Sequence, residues 1–244
     1  MGVFDLFRPA HKFTSAIILA AGAGSRFSDV AGKKQNMELC GIPVIVRTVD
    51  AFQRCELIDE IVIVCRKDDV SVYETFSEKY GFSKIKKVVP GGKERIDSAM
   101  SGIDAVSDKS KFVAVHDGAR CLITPEMIEK TLESAYRDGA AAAGHPSTDT
   151  VKFSKLGYTI DETIDRSKIW LIGTPQVFMA NMYRAAIYMA KKDGAEVTDD
   201  CMMAERLGFK VNLVDIGGEN IKITNPEDIY IAEGILRKRE EMGE

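Results

Sequence analysis

The chain has 244 residues, 45% hydrophobic and 8% aromatic, enough to bury the core of one large domain. Its 33 Lys and Arg against 37 Asp and Glu leave a net charge of −4, which excludes a globally basic nucleic-acid binder or an anionic-membrane binder and makes any anion site local. The five cysteines (Cys40, Cys55, Cys65, Cys121, Cys201) contain no CxxC pair and read as reduced thiols of a cytoplasmic protein, and no apolar run approaches the roughly 18 residues of a membrane span.

Residues 1–13, "MGVFDLFRPAHKF", lack the apolar stretch of a signal peptide, and Leu6 breaks the myristoylation pattern. They read as a flexible lead-in to a single domain over 14–244. Strands are expected at "SAIILA" (15–20), "EIVIVC" (60–65), "KIKKVV" (84–89) and "KFVAVH" (111–116), short Ile- and Val-rich runs typical of buried parallel strands. Between them, "IPVIVRTVDAFQRC", "DVSVYETFSEKYG" and "ERIDSAMSGIDAV" carry apolar residues at helical spacing, as does "TPEMIEKTLESAYRDG" after the last strand. In the last of these, Thr124 is an N-cap, Pro125 takes the first helical position and Gly139 closes the helix. The repeated strand–helix unit predicts an α/β fold with a doubly wound, mostly parallel sheet, whose ligands bind at the carboxyl ends of the strands.

From about 147 to 169 the rhythm changes to polar–apolar alternation around a turn near Leu156-Gly157, the pattern of an inserted β-hairpin arm. Helices resume over "MANMYRAAIYMAKKDG" and "TDDCMMAERLG". A strand "KVNLVDI" and a helix from Asn225 to about Glu240 end the chain. Lys222, between Ile221 and Ile223, reads as the middle of a short strand, its side chain either entering the site or facing water.

The loop "LAAGAGSRFSDVAGKKQ" fits neither common phosphate motif. Phe27 stands where GxGxxG needs a small residue, and Gly32-Lys33 is followed by Lys34 rather than the Ser or Thr of GxxxxGK[ST]. What remains is a run of small residues from Ala20 through Gly22 to Gly24 that lets a nucleotide approach the backbone, with amides able to form an anion nest. Arg26 and Lys34 add cations able to grip a triphosphate from two sides. Such a site works by charge neutralisation, as phosphoryl or nucleotidyl transfer requires. Gly91-Gly92 with Ser98 can wrap a base, and Asp117 at a strand's end suits Mg²⁺ held against phosphate oxygens. None of the three histidines has a partner at metal-ligand spacing; His116 reads as packed near the strand end.

The ordered set "AAGAGSR…KKQ", "GGKERIDS", "HDGAR", "DTVK", "TIDRSKIW", "TPQVF", "VTDD" and "NIKIT" resembles the 2-C-methyl-D-erythritol 4-phosphate cytidylyltransferases, from about Ser15 to Leu236. The resemblance implies a Rossmann-like nucleotidyltransferase fold, a homodimer and Mg²⁺-dependent transfer of CMP from CTP to a sugar-alcohol phosphate in the non-mevalonate isoprenoid route. It implies that Arg26, Lys34 and Lys222 are the catalytic cations. Ala20, Ala21, Gly22, Gly24, Gly92, Lys93 and Ser98 would surround the nucleotide, and Asp117 would hold the metal. Arg120, Thr174 and Thr198 would line the acceptor side, while Thr150 and Arg166 on the arm would reach it across a dimer interface. The chain departs from the usual pattern at Lys33, Asn36 and Cys121, and Lys33 competes with Lys34 as phosphate ligand. Ribitol 5-phosphate cytidylyltransferase is the nearest alternative, and a non-catalytic nucleotide binder is a distant one. An NAD-dependent oxidoreductase is countered by Phe27 and the extra loop cations.

Overall fold

The computed structural model describes residues 10–22 and 37–243. Gly24, Arg26, Lys33 and Lys34 lie outside them, as does most of the lead-in. The lead-in is already held at its end, because Lys12 Nζ donates to Tyr136 O (2.9 Å) and lies over the Phe112 ring, while Phe13 O accepts from Lys111 N (2.8 Å). A lysine stem on aromatic rings with its head on a carbonyl is a tethered side chain.

The first strand, β1 (Thr14–Leu19), is buried almost throughout, which explains a continuous apolar run where a one-sided strand would alternate. A two-residue ladder, β2 (Glu38–Leu39) against β3 (Ile42–Pro43), turns at Cys40-Gly41. Then come α1 (Val44–Arg54), β4 (Glu60–Cys65), α2 (Val70–Glu74), α3 (Phe76–Tyr80), β5 (Ile85–Pro90), α4 (Arg95–Ala105), β6 (Phe112–Asp117) and α5 (Pro125–Asp138). The helix expected over 69–81 is divided at Thr75, whose hydroxyl turns back to Val72 O at 2.7 Å in competition with the helical ladder. Helix α5 is bounded as its residues predict: Thr124 Oγ1 accepts from Met127 N, Pro125 stands first, and Gly139 closes it at φ 94°.

The remaining elements are β7 (Ala140–Pro146), the hairpin strands β8 (Val151–Phe153) and β9 (Glu162–Ile164), β10 (Trp170–Met179), α6 (Ala180–Lys192), α7 (Asp200–Arg206), β11 (Asn212–Asp215) and α8 (Glu227–Met242). Seven strands form one sheet in the order β11-β7-β10-β6-β1-β4-β5, all neighbours parallel except those of β10. The hairpin stands outside that sheet as its own antiparallel pair, closed at its base by Ser147 N donating to Ile169 O at 2.9 Å. No strand forms at 221–224. That segment is irregular and touches the body through Ile223 N donating to Ala119 O at 2.9 Å, since one bond does not make a ladder.

Two apolar layers cover the sheet. One, around Ile18, Ile63, Phe52 and Leu132, lies under α1 and α5; the other, around Ile17, Val64, Val115 and Tyr183, lies under α4 and α6. At Gly102, α4 lies close against β1 and β4, for a Cβ there would sit 2.4 Å from Ile17 Cγ2 and 3.1 Å from Val64 Cγ2. In an open helix Gly→Ala stabilises by up to about 1 kcal/mol. Here the clash reverses the sign, and Gly102→Ala is expected to destabilise by about 1–3 kcal/mol. The check is a urea midpoint that falls at constant slope; a midpoint equal to or above that of the parent would refute the close packing.

Candidate active site

On one side of β1 lie β4 and β5, and on the other lies β6, so the sheet's connections diverge between β1 and β6 and leave a crevice at their carboxyl ends. Backbone bonds fix its rim: Ala20 N donates to Val64 O (2.7 Å), Gly118 N to Leu19 O (2.9 Å) and Gly91 N to Cys65 O (2.7 Å). Ala20 is buried and Gly22 exposed as the chain leaves β1.

One side of the crevice forms where loop 91–94 meets this rim. A Cβ on Gly91 would lie 2.5 Å from Ala21 Cβ and 2.6 Å from Ser98 Oγ, so only glycine lets the loop press against both. Ser98 Oγ accepts from Gly92 N at 3.3 Å. Helix α4 begins with a reciprocal capping box between Glu94 and Asp97, which sets the angle at which the loop enters it. Ala21, Gly91, Gly92 and Ser98 thus share one small-residue surface, with Lys93 exposed beside it, while Ala20 is buried against Gly118 at the rim.

The opposite side gathers Asp117, Arg120, Thr174 and Lys222 from three segments. Lys222 Nζ lies 2.9 Å from Asp117 Oδ2, and Arg120 Nε lies 3.5 Å from the same oxygen. Of the two orientations open to Lys222, its side chain takes the one into the site, while Ile223 is fully buried. Arg120 Nη1 donates to Asn220 O (2.9 Å), and Asn220 Nδ2 donates to Thr174 O (2.8 Å), which ties the Lys222 segment to β10. The Thr174–Pro175 peptide is cis and lies within a bulge of β10 against β7. Two buried atoms here, Arg120 Nε and Asn220 Oδ1, have no hydrogen-bond partner among the described residues. Both residues border a cavity of about 150 Å³, with Gly144, His145, Ile172 and Gly173.

Burial pushes the Asp117 carboxyl up, but Lys222, with Arg95 and Arg120, outweighs it and holds the group at about 2. Asp117 is therefore ionised at any physiological pH. Its neighbour His116 is fully buried, with Nε2 facing Arg120 O (3.1 Å) and Nδ1 facing Thr174 Oγ1 (3.0 Å), which in turn accepts from Asp117 N (3.1 Å). These partners assign a neutral ring that donates from Nε2 and accepts at Nδ1. Burial lowers its pKa from 6.5 to about 4. The unfolded chain then binds this proton below pH 6.5 and the folded chain only near 4, so the stabilisation is complete above 6.5 and is lost as pH falls through that window. It amounts to about 3 kcal/mol. Urea midpoints between pH 7 and 4.5 are expected to fall less steeply in His116→Gln than in the parent, and identical slopes would contradict a neutral buried ring.

Thr198 is exposed just before α7, whose N-cap, Asp199, accepts from Met202 N at 3.0 Å and from Gln176 Nε2 of β10 at 3.0 Å. Thr150 and Arg166 sit apart, exposed at the stem of the hairpin, where Arg166 Nη1 donates to Thr148 O (2.8 Å). His116, Asn220, Gln176, Arg95 and Asp200 also belong to the site region, though their spacing in the sequence signals no site role. Each falls within a quoted motif, but its partner lies in a distant segment.

A crevice that gathers cations round one ionised carboxylate, with its histidine buried and neutral, neutralises phosphate oxygens rather than relaying protons. On this Rossmann-like sheet that is the work of a nucleotidyltransferase. The family model "IspD: 2-C-methyl-D-erythritol 4-phosphate cytidylyltransferase" matches residues 14–238, and the chain belongs to that family. A 2-C-methyl-D-erythritol 4-phosphate cytidylyltransferase of Clostridium acetobutylicum is 42% identical over 224 residues, covering 91% of this chain and 97% of the relative. That of Syntrophus aciditrophicus is 39% identical over 226 residues, covering 92% and 96%. The crystal structure of 4-diphosphocytidyl-2C-methyl-D-erythritol synthase from Anaerococcus prevotii superimposes with a TM-score of 0.83 at 34% identity, covering 94% of this chain and 98% of that one. The Thermus thermophilus enzyme gives 0.73 at 27% identity, covering 91% and 98%.

Proposed function

We propose that this chain transfers CMP from CTP to 2-C-methyl-D-erythritol 4-phosphate, releasing pyrophosphate and giving 4-diphosphocytidyl-2-C-methyl-D-erythritol. The observation that carries this reading is the convergence of Asp117, Arg120, Thr174 and Lys222 at the strand-end crevice of a chain in this family. An oxygen of the acceptor phosphate forms a bond to the α-phosphorus while the bond to the bridging oxygen of pyrophosphate breaks, its electron pair leaving with pyrophosphate. The acceptor is already an anion at neutral pH, so no general base is needed, in keeping with the buried neutral His116. The obstacle is repulsion between two polyanions. Lys222 offsets it from the acceptor side, and Arg26 with Lys34 or Lys33 would do so from the glycine loop. Ala20, Ala21, Gly22, Gly92, Lys93 and Ser98 would line the nucleotide, with Gly24 in the same loop. The cavity beside Arg120 and Asn220, next to Thr174, would take the acceptor polyol, and Thr198, exposed before α7, would line the acceptor side.

Mg²⁺ fits this donor set in one form. The described residues hold no cluster of three or more His, Cys, Asp or Glu, so they alone offer no cage. One strand-end carboxylate shared with substrate phosphates and water is, however, a common magnesium arrangement. Among the described residues Lys222 and Arg120 both face Asp117 Oδ2, and Oδ1 would be the oxygen offered to the ion. When bound, Mg²⁺ would neutralise phosphate charge at the reacting centre.

A homodimer is proposed on the hairpin arm, where Leu156, Tyr158 and Ile160 are 66–80% exposed, apolar surface that a second copy would cover. Thr150 and Arg166 would then serve the partner's crevice. A single domain over 14–244 and a cytoplasmic location are proposed as well, the latter on five free cysteines, four of them buried; no helix among the described residues is long and apolar enough to cross a membrane. The test is pyrophosphate release with CTP and Mg²⁺, offering methylerythritol 4-phosphate and ribitol 5-phosphate in parallel. Turnover with the first is the expected result. Turnover with ribitol phosphate alone would overturn the acceptor, and silence with both would overturn the reaction.

A further inference from the structure

A buried polar network runs along the wall that joins the two sides of the crevice. Asp200, the first residue of α7, is fully buried. Its Oδ2 accepts from Arg95 Nη2 at 2.5 Å and its Oδ1 from Tyr183 Oη at 2.6 Å. Gln176 Oε1 on β10 accepts from both Asp200 N and Cys201 N at 3.0 Å, while its Nε2 donates to Gly173 O (3.2 Å) and Asp199 Oδ2 (3.0 Å). The three segments joined here are those that carry site residues. Arg95 follows loop 91–94 directly and opens the helix bearing Ser98, Asp200 stands two residues after Thr198, and Gln176 stands two residues after Thr174.

Stability alone does not account for this arrangement. Helices α4 and α6 already meet through Ile96, Ala99, Ile103, Tyr183 and Ala186, which would hold them together without a charge pair whose carboxylate is fully buried and whose guanidinium is partly so. Replacing such pairs by apolar groups is often neutral or stabilising, whereas breaking one partner is costly. What the pair adds is direction: a planar guanidinium and a carboxylate meet in few geometries, whereas apolar contacts slide. In-line transfer depends on that, since an error of about 1 Å in the placement of reacting groups can cost about 10²-fold in rate.

We propose that the Arg95–Asp200 pair, seated on Gln176, is a positioning bracket that fixes the nucleotide-side loop 91–98 against the acceptor-side residues Thr174 and Thr198. The proposal rests on the transfer reaction inferred above. Arg95→Met alone strands a buried carboxylate and is expected to fold poorly. The decisive variant is therefore Arg95→Met/Asp200→Asn, which removes both charges and keeps an acceptor for Tyr183. It is expected to melt within a few degrees of the parent, yet to show kcat lowered about 10²-fold per titrated active site and raised KM for the acceptor. Arg95→Lys, which keeps the charge but loses the fork, is expected to fall between the two. A folded double variant with parental kcat and KM would overturn the bracket, as would a loss explained wholly by a smaller folded fraction.

Amide hydrogen exchange provides a readout that does not depend on turnover. In the double variant, segments 91–95 and 197–201 are expected to exchange faster together while β1 and β4 stay protected. If the parent released no pyrophosphate with either acceptor, the reaction would fail but the bracket would still be judged on this pattern. Unchanged exchange in both segments would overturn it.

Discussion

Lys222→Ala is expected to lower turnover by about 10²–10³-fold, the range found when one preorganised charge-stabilising group is removed. Its ammonium is 2.9 Å from Asp117 Oδ2 and is the leading counterweight to the burial that pushes this carboxyl up. Removing it should act twice, by taking a cation from the site and by letting the Asp117 pKa rise from about 2 towards the ordinary carboxylate range. Asp117 would remain ionised at pH 8, so the turnover lost there reports the missing cation. A further fall on acidification, steeper than in the parent, would report the weakened carboxylate. Lys222→Arg should recover part of the rate, because a cation returns with a different reach. Near-parental turnover in Lys222→Ala across this pH range would remove Lys222 from the mechanism.

Arg166→Ala is expected to abolish most activity by itself, yet to regain it when mixed with Lys222→Ala protein. With the arm of one subunit serving the crevice of the other, a hybrid dimer holds one site with both defects and one with neither. Random exchange between equal amounts makes half the dimers hybrid, so recovery should approach about a quarter of the parental rate per chain. The arm stem qualifies the experiment, since Arg166 also donates to Thr148 O at 2.8 Å and its loss could loosen the hairpin. A loosened arm would be no obstacle to the rescue, because in the hybrid the intact arm comes from the Lys222→Ala subunit. No recovery, with subunit exchange demonstrated by mass-tagged chains, would argue that each crevice is complete within one chain.

Much of the fold could be read from residue pattern. The strands β1, β4 and β6 were visible because each is buried in a parallel sheet and spells an apolar run, the half-exposed edge strand β5 was visible from Ile85, Val88 and Val89, and α5 was visible with both of its caps. Two strands of the seven-stranded sheet were not. In "AAAAGHP", β7, alanine carries no strand preference, yet Ala140 to Ala143 are buried, with α5 packed on one face and the apolar layer around Tyr183 and Met203 on the other. The antiparallel β10 was seen only as the motif "TPQVF", since its bulge at Gly173 to Pro175 interrupts any period of two. The strand expected around Lys222 is absent because no neighbour pairs with it.

The same division runs through the site. The sequence by itself determined which residue types stand at the ends of which strands: small residues after β1, a carboxylate after β6, and cations in the glycine loop and near the last helix. Those are local facts, fixed by spacing along the chain and by the burial each short run demands. Only the tertiary structure decided that Lys222 reaches Asp117, that Thr174 bonds His116, and that Arg95 meets Asp200 across 105 residues of chain. The physical reason is that a side chain's partner is chosen by the packing of the whole sheet, to which a short stretch of sequence contributes only one strand or helix.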